Sequence, residues 1–352
     1  MLVIGTRPEA IKLAPVAKGL RARSLPAIIV TTGQHPDLLP PTLASLGISA
    51  DIELPLGEGS GMVAALQDVI RTHGPACIIV QGDTRSALAG ALAGFLEDVP
   101  VAHVEAGLRT HEISDPFPEE LFRVGIARLA DHHLAPTEDA GRNLLAESVP
   151  PASISVVGNT VIDALFGSAG SVKEDTAGMD GRQRVIVTVH RQENGPNRLG
   201  SILGAAGRLA DEARREVIFI RHPRLRETAL PGEGEAEKPE VQRISVRAPL
   251  PYDEFIDLLR SSHLVITDSG GVQEEAAALG KRLIVVRDQT ERPEALQKGE
   301  RLLVGTNEEA IFAAGQRLLA GSKIGTPSTA LGDGRSGERI AAIIGTKYFS
   351  AY

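Results

Sequence analysis

Short β-branched, apolar runs alternate with Ala/Leu-rich stretches from one end of this chain to the other, and few folds accommodate that pattern. The runs Ala27–Thr32, Ala76–Gln81, Val101–Glu105 and His132–Ala135 read as strands in the first half. Arg184–Val189, Glu216–Arg221, Leu264–Thr267 and Arg282–Val286 are their counterparts in the second. Continuous apolar runs of this kind suit strands buried on both faces, and strands separated by helical stretches imply right-handed βαβ units and parallel sheets. The expected fold class is therefore α/β, with two Rossmann-like domains. Residues 1–166 form the first, 167–182 a linker poor in apolar periodicity (GSAGSVKEDTAGMDGR from Gly167), and 183–335 the second. A helical pattern through Ile340, Ile343 and Ile344 follows in 336–352, and Pro231–Pro239 reads as an exposed loop. The first strand, Leu2-Val3-Ile4, is short against the usual about five to six residues. Either the sheet accommodates a stub or the native start lies upstream.

At 352 residues the chain can build two ample cores. A net charge of −8 argues against nucleic acid, which needs clustered positive charge. Aromatic residues are 3% with no Trp, so stacking platforms for bases or glycans cannot be extensive. Cys77, the single cysteine, lies in an apolar run and reads as a core residue. It allows neither an internal disulfide nor a thiolate metal site. No apolar stretch approaches the ~20 residues that span a bilayer, so no membrane partner is expected. Met1 leads straight into a strand without the regions of a signal peptide, and the expected location is the cytoplasm.

The densest chemistry lies in 267–294. Leu264–Thr267 reads as a strand and Val272–Leu279 as the following helix, with Ser269 at the N-cap position. Gly270 and Gly271 would let a ligand approach the first helical N–H groups, an arrangement suited to a diphosphate. Glu275, four residues after Gly271, shares its helix face and could reach a ligand hydroxyl. A tight turn in an α/β sheet would explain the glycines equally well. The charge-dense Arg287-Asp288-Gln289-Thr290-Glu291-Arg292-Pro293-Glu294 one strand later tips the reading toward a ligand edge.

Other strand ends carry similar groups. Gly5-Thr6-Arg7-Pro8-Glu9-Ala10-Ile11-Lys12 follows the first strand; Pro8 fits the first helical position, leaving Arg7 near the N-cap and Lys12 about a turn further in. Two cations there oppose the macrodipole unless an anion arrives. Asp83 ends one strand, Glu105 another, followed by Arg109, and His190-Arg191-Gln192-Glu193-Asn194 a fourth. Pro116-Phe117-Pro118-Glu119-Glu120 stiffens a loop ahead of a helix. Singly, Asp83 could be an N-cap and His190 a structural histidine. Together, crowded carboxylates can divide acid and base roles.

These motifs, taken in order with Gly158-Asn159-Thr160, identify a resemblance from Gly5 to about Thr306 to the non-hydrolysing UDP-N-acetylglucosamine 2-epimerases. The resemblance implies a GT-B-like fold, a ligand cleft between the two domains, a C-terminal helix returning to the first domain, and a homodimer. It implies reversible epimerisation at carbon 2, through loss of UDP to a bound 2-acetamidoglucal and re-addition. No hydride leaves, so neither a nicotinamide cofactor nor a metal is implied. Asp83, Glu105 and Glu119 match the family's catalytic carboxylates, and His190, Arg7 and Lys12 would neutralise the departing diphosphate. Ser269, Gly270 and Gly271 would hold phosphate and Glu275 the ribose, with Arg109 and Arg292 also among the substrate-binding residues.

The chain departs from the family pattern in places. Leu121-Phe122-Arg123 has an aromatic where the family has Asn, Gln192 stands where arginine is common, and Arg224 follows His222-Pro223 where asparagine is expected. Gln34 and His35 match part of an activator-site segment, but Asp37 replaces its second glutamine. A weakened or absent activator site is expected. The rival readings are a hydrolysing epimerase that releases N-acetylmannosamine and UDP, a GT-B glycosyltransferase, and a non-catalytic UDP-sugar sensor.

Overall fold

The computed structural model describes residues 1–34, 37–54, 61–114, 116–167, 182–189, 196–211, 215–221, 225, 243–296, 299–321 and 325–349. They fall into two units, Met1–Ser168 with Leu331–Tyr352, and Ala169–Ala330. Of the expected linker Gly167–Arg182, residues 168–181 lie outside the described residues, as does Pro231–Pro239.

The first unit is wound on an all-parallel sheet of β1 (Leu2–Ile4), β2 (Ile29–Thr31), β3 (Ile52–Glu53), β4 (Ile78–Gln81), β5 (Val101–Val104), β6 (His132–Ala135) and β7 (Ile154–Val156). The strand order is β3-β2-β1-β4-β5-β6-β7. The connecting helices are α1 (Arg7–Ala22), α2 (Leu39–Ser45), α3 (Met62–His73), α4 (Arg85–Leu96), α5 (Glu119–Leu129), α6 (Glu138–Ala146) and α7 (Thr160–Gly167). Side chains of a strand alternate between faces, and the core divides accordingly. Leu2, Ile4, Ile29, Ile79 and Val104 pack with Leu13 and Ala17 of α1 and Leu39 of α2. Val3, Val30, Ile78 and Val80 pack with Leu66 of α3, Ala87 and Ala91 of α4 and Ile126 of α5. Each fully buried Val, Leu or Ile side chain among them contributes about 1.5–3 kcal/mol. The three-residue β1 is fully buried between β2 and β4.

The second unit repeats the plan with β8 (Gln183–Val189), β9 (Arg215–Arg221), β10 (Ile244–Arg247), β11 (Leu264–Thr267), β12 (Arg282–Val285) and β13 (Arg301–Leu303), all parallel in the order β10-β9-β8-β11-β12-β13. Its helices are α8 (Pro196–Ala210), α9 (Tyr252–Arg260), α10 (Gly270–Ala278) and α11 (Glu308–Ala320). Val185, Val187, Phe219 and Ile266 pack against Leu199, Ile202 and Leu203 of α8 and Leu318 of α11.

The last helix, α12 (Ser336–Tyr348), lies on the first unit, where Ile340, Ala341 and Ile344 join the core beside α1. The approach is close because both surfaces lack a side chain: a Cβ on Gly337 would lie 2.6 Å from the carbonyl carbon of Pro15, and one on Gly19 would lie 2.8 Å from the Gly337 oxygen. The Gly337 N–H donates to Asp163 Oδ1 of α7 at 2.7 Å.

Every strand expected from the apolar runs is present, with ends within two residues of the expected ones. The strands that those runs do not reveal are β3, β7, β10 and β13, the four sheet edges. An edge strand is covered less, so it needs no continuous apolar run; β10, for example, is buried only at Ile244. In both sheets the order turns back at one point, between β1 and β4 and between β8 and β11. Ligands of doubly wound sheets bind beyond the carboxyl ends of the strands at such switch points.

Candidate active site

The switch point of the first sheet gathers most of the expected chemical groups of that unit. The turn after β1 is a capping box: Thr6 is the N-cap of α1, and the Glu9 carboxylate accepts from the Thr6 N–H at 2.6 Å. Arg7 is thus the first helical residue and Pro8 the second, one place later than the proline alone suggests. The difference arises because the threonine side chain, not proline, sets the start. One turn on, Lys12 is buried and its ammonium pairs with Glu105 Oε1. Gln81, the last residue of β4, donates to the other Glu105 oxygen.

Glu105 follows β5 with φ 64°, a left-handed conformation that side chains other than glycine rarely adopt. Such a residue persists where its surroundings over-determine it, and Lys12 and Gln81 hold both of its oxygens. Gly82 turns beside it with φ 71°, and a Cβ there would lie 3.3 Å from Glu105 Oε2. The next residue, Asp83, is bound by Arg123 Nη2 at 2.6 Å. Instead of a bare cluster of like charges, Glu105 and Asp83 each have a cation of their own.

Glu119 opens α5, half-buried, and makes no hydrogen bond or ion pair among the described residues. It lies one helical turn before Arg123, on the same helix face. Its neighbour Glu120 behaves oppositely. Fully buried, Glu120 accepts from the backbone N–H groups of Thr110 (3.0 Å) and His111 (3.1 Å) and from Arg123 Nη1 (2.7 Å). Of two adjacent glutamates, one ties the loop together and the other stays available.

Arg109 departs from expectation. Its guanidinium forms a two-point pair with Glu147, at 2.6 and 2.9 Å, and its third nitrogen donates to the Leu108 carbonyl. The chain reverses at Gly107 (φ 88°) and lays Arg109 against Glu147, the C-cap of α6, where the helix dipole favours a cation. The side chain is 1% exposed, and its pair with Glu147 braces the loop after Glu105.

Gln34 accepts from Ser86 Oγ at 2.8 Å, and Ser86 Oγ also meets Thr32 Oγ1 at 2.7 Å. His35 and His190, with Arg191 to Asn194, lie outside the described residues.

In the second unit, Ser269 is the N-cap of α10, but its side chain makes no capping hydrogen bond. The Arg292 guanidinium lies over Gly270, where an added Cβ would sit 2.4 Å from its Cζ, whereas Gly271 has nothing within 4 Å. Arg292 is fixed there by Glu274 at 2.5 Å and by Glu291, which also takes Arg287 at 2.5 Å. Thr290 Oγ1 donates to Gln273 Oε1 at 2.9 Å, tying the charged loop to α10. Glu275 is buried one turn along from Gly271. The N-terminus of α10 offers its positive dipole end and first N–H groups here, while the charge of Arg292 is already met by Glu274 and Glu291. Among the described residues, no group of three or more His, Cys, Asp or Glu side chains could hold a metal ion.

A family model described as UDP-N-acetylglucosamine 2-epimerase matches residues 18–345. The chain belongs to the UDP-N-acetylglucosamine 2-epimerase family. A Bacillus subtilis UDP-N-acetylglucosamine 2-epimerase is 36% identical over 360 residues, covering 97% of this chain and 93% of the relative. The crystal structure of the Neisseria meningitidis epimerase bound to UDP-GlcNAc superposes with a TM-score of 0.88 at 32% identity, covering 98% and 99% of the two chains. The Methanocaldococcus jannaschii epimerase in complex with UDP-GlcNAc and UDP gives 0.86 at 34% identity, with coverage of 98% and 99%.

Membership of this epimerase family accounts for the motifs that sequence reading isolates. Three residues of the site are ones it passes over. Arg123, the partner of Asp83, stands in the segment marked only for its aromatic neighbour. Gln81 carries no local signal. Glu9 does: Thr6-x-x-Glu9 is a capping-box spacing.

For an anion held at the start of α10, Gly270→Ala is the informative substitution. Its methyl group must displace a guanidinium held by two carboxylates, and the helix N-terminus loses its cation. UDP affinity measured by calorimetry is expected to fall by about tenfold or more, roughly one charge-assisted hydrogen bond. Gly271→Ala, facing open space, is the comparison, and an unchanged affinity for Gly270→Ala would remove Arg292 from the anion site.

Proposed function

We propose that this family member interconverts UDP-N-acetylglucosamine and UDP-N-acetylmannosamine, with Asp83, Glu105 and Glu119 handling the charge and the proton at carbon 2. The observation that carries the reading is the graded partnering of these three carboxylates. Glu105 has both oxygens occupied, Asp83 has one arginine, and Glu119 has no partner among the described residues.

The chemistry asks for such a gradation. Breaking the bond between carbon 1 and the UDP oxygen leaves its electron pair on UDP and oxocarbenium character at carbon 1. The hydrogen on carbon 2 then becomes acidic, and a carboxylate removes it, giving the glycal and a carboxylic acid. Re-addition of UDP at carbon 1, with a proton delivered to the other face of carbon 2, gives the epimer. A carboxylate locked by Lys12 and Gln81 suits the stabilisation of the transient cation. Lightly held carboxylates suit proton transfer, so Glu119 and Asp83 take the acid and base roles. The anion site at Ser269, Gly270, Gly271 and Arg292 receives the diphosphate, with Glu275 on the ribose. Arg7, Lys12 and His190 offset the leaving charge. Arg109 supports the loop that carries Glu105. The same reading places the enzyme in the cytoplasm as a homodimer, supported by the likeness to the family. Among the described residues, no helix is long and apolar enough to cross a membrane.

The test is proton NMR of the purified protein with UDP-N-acetylglucosamine in deuterium oxide, with no added cofactor. The expected product is UDP-N-acetylmannosamine carrying deuterium at carbon 2. Free N-acetylmannosamine with UDP would instead show a hydrolysing enzyme, and UDP binding without turnover would show a sensor.

A further inference from the structure

Glu9 does more than a capping box requires. Capping needs one carboxylate oxygen on the N-cap N–H. Here Oε2 alone collects the N–H groups of Gly5 (2.9 Å) and Thr6 (2.6 Å) and the Thr6 hydroxyl (2.8 Å). The second oxygen is left over, and it is used 75 residues away: Oε1 accepts from Thr84 Oγ1 at 2.5 Å. Thr84 is itself the N-cap of α4, and its hydroxyl oxygen accepts the Ala87 N–H at 3.0 Å. That hydroxyl therefore donates in one direction and accepts in the other, which sets its rotamer. Glu9 is fully buried.

The residue before Thr84 is Asp83, and Gly82, the residue before that, is held by a second contact. The Gly82 carbonyl can only accept, so the His103 Nε2 at 2.8 Å must carry the proton. His103 is fully buried on β5. Burial pushes its pKa down to about 3, so the ring stays neutral and the tautomer is settled. The turn 82–84 is thus held at both ends, by His103 on the Gly82 carbonyl and by Glu9 on the Thr84 hydroxyl. Between the two grips Asp83 meets Arg123.

We propose that Glu9 is a positioning residue of the reaction: its buried carboxylate bridges the turn after β1 to the turn after β4, and so holds Asp83 in register with the Lys12–Glu105 pair. This rests on the assignment of Asp83 to proton transfer. Glu9 itself touches no reacting atom. Its influence passes through Thr84, and it links the helix that carries Arg7 and Lys12 to the strand end that carries Asp83. Displacing a reacting group by 1 Å is enough to cost about 10²-fold in rate.

The experiment compares Thr84→Val, which removes the donor to Glu9 at nearly constant shape, with Thr84→Ser, which keeps it. Steady-state kinetics with UDP-N-acetylglucosamine are expected to show kcat lowered about 10- to 100-fold in Thr84→Val. KM should stay within about twofold, because binding contacts are untouched while the reacting geometry shifts. Thr84→Ser should restore kcat. A role confined to capping α4 would lower the melting temperature of Thr84→Val and leave kcat alone, and that result would overturn the proposal. So would equal damage in Thr84→Ser. Crystal structures of both variants give a readout independent of turnover. Asp83 is expected to leave Arg123 in Thr84→Val only, and an unmoved Asp83 would also overturn the proposal. If the parent protein does not turn over the substrate, the functional assignment fails by itself, and the crystal structures still decide whether Glu9 and Thr84 place Asp83.

Discussion

Glu119→Gln is expected to lower kcat by about two orders of magnitude or more, the usual worth of a positioned acid or base. Its melting temperature should stay within about 3 °C of the parent, because losing one charge at a helix N-terminus costs no more than about 1 kcal/mol. The combination is what distinguishes a residue kept for chemistry from one kept for structure. Glu119 sits half-buried at the start of α5 with no hydrogen bond or ion pair among the described residues. Its only evident structural benefit is a negative charge at a helix N-terminus, worth about 0.3–1 kcal/mol. Glu120→Gln is the control with the opposite signature. It weakens a buried carboxylate that accepts from Thr110, His111 and Arg123, so melting should suffer first. Full turnover in Glu119→Gln would remove this residue from the mechanism.

Gly107→Ala is expected to destabilise the protein by about 4 kcal/mol or more, lowering the melting temperature by roughly 10 °C. Two costs combine. A φ of 88° is a left-handed conformation, worth about 1–2 kcal/mol against any side chain. The added Cβ would also lie 2.2 Å from the Ala140 carbonyl oxygen and 2.9 Å from Leu144 Cγ. The carbonyl belongs to the backbone of α6 and cannot rotate away, so the loop or the helix must shift. Either movement reaches the site, because Gly107 lies between Glu105 and Arg109. Gly47→Ala separates the two costs. Its φ is 67°, but nothing lies within 4 Å of the added carbon, so only the backbone penalty of about 1–2 kcal/mol remains. Differential scanning fluorimetry of both variants would decide, and equal melting temperatures would refute the steric part.

Central strands such as β11 are legible to the residue because both faces are buried and every position is apolar. Edge strands such as β13 (burial falling from Arg301 to Leu303) leave no such trace. Ser269 lies at the expected N-cap position of α10, whereas α1 starts one residue ahead of the proline-based expectation, because the Thr6-x-x-Glu9 capping box sets its start. The partner of Arg109 is not legible in this way. This arginine stands in a motif beside Glu105, and nothing nearby in sequence announces that Glu147 has claimed it.

The alternation of apolar runs and helical stretches, and the small or polar residues at strand ends, were sufficient by themselves for two parallel α/β units and for the turns that could meet a charged ligand. These are properties of the backbone and of neighbours within about one helical turn, so they are written in consecutive residues. Which charge belongs to which partner was decided only by the tertiary structure. Lys12 finds Glu105 across 93 positions and Glu9 finds Thr84 across 75, while Glu119 is left without a partner among the described residues. An ion pair or buried hydrogen bond depends on separation in space and on loss of water, and neither is a function of spacing along the chain.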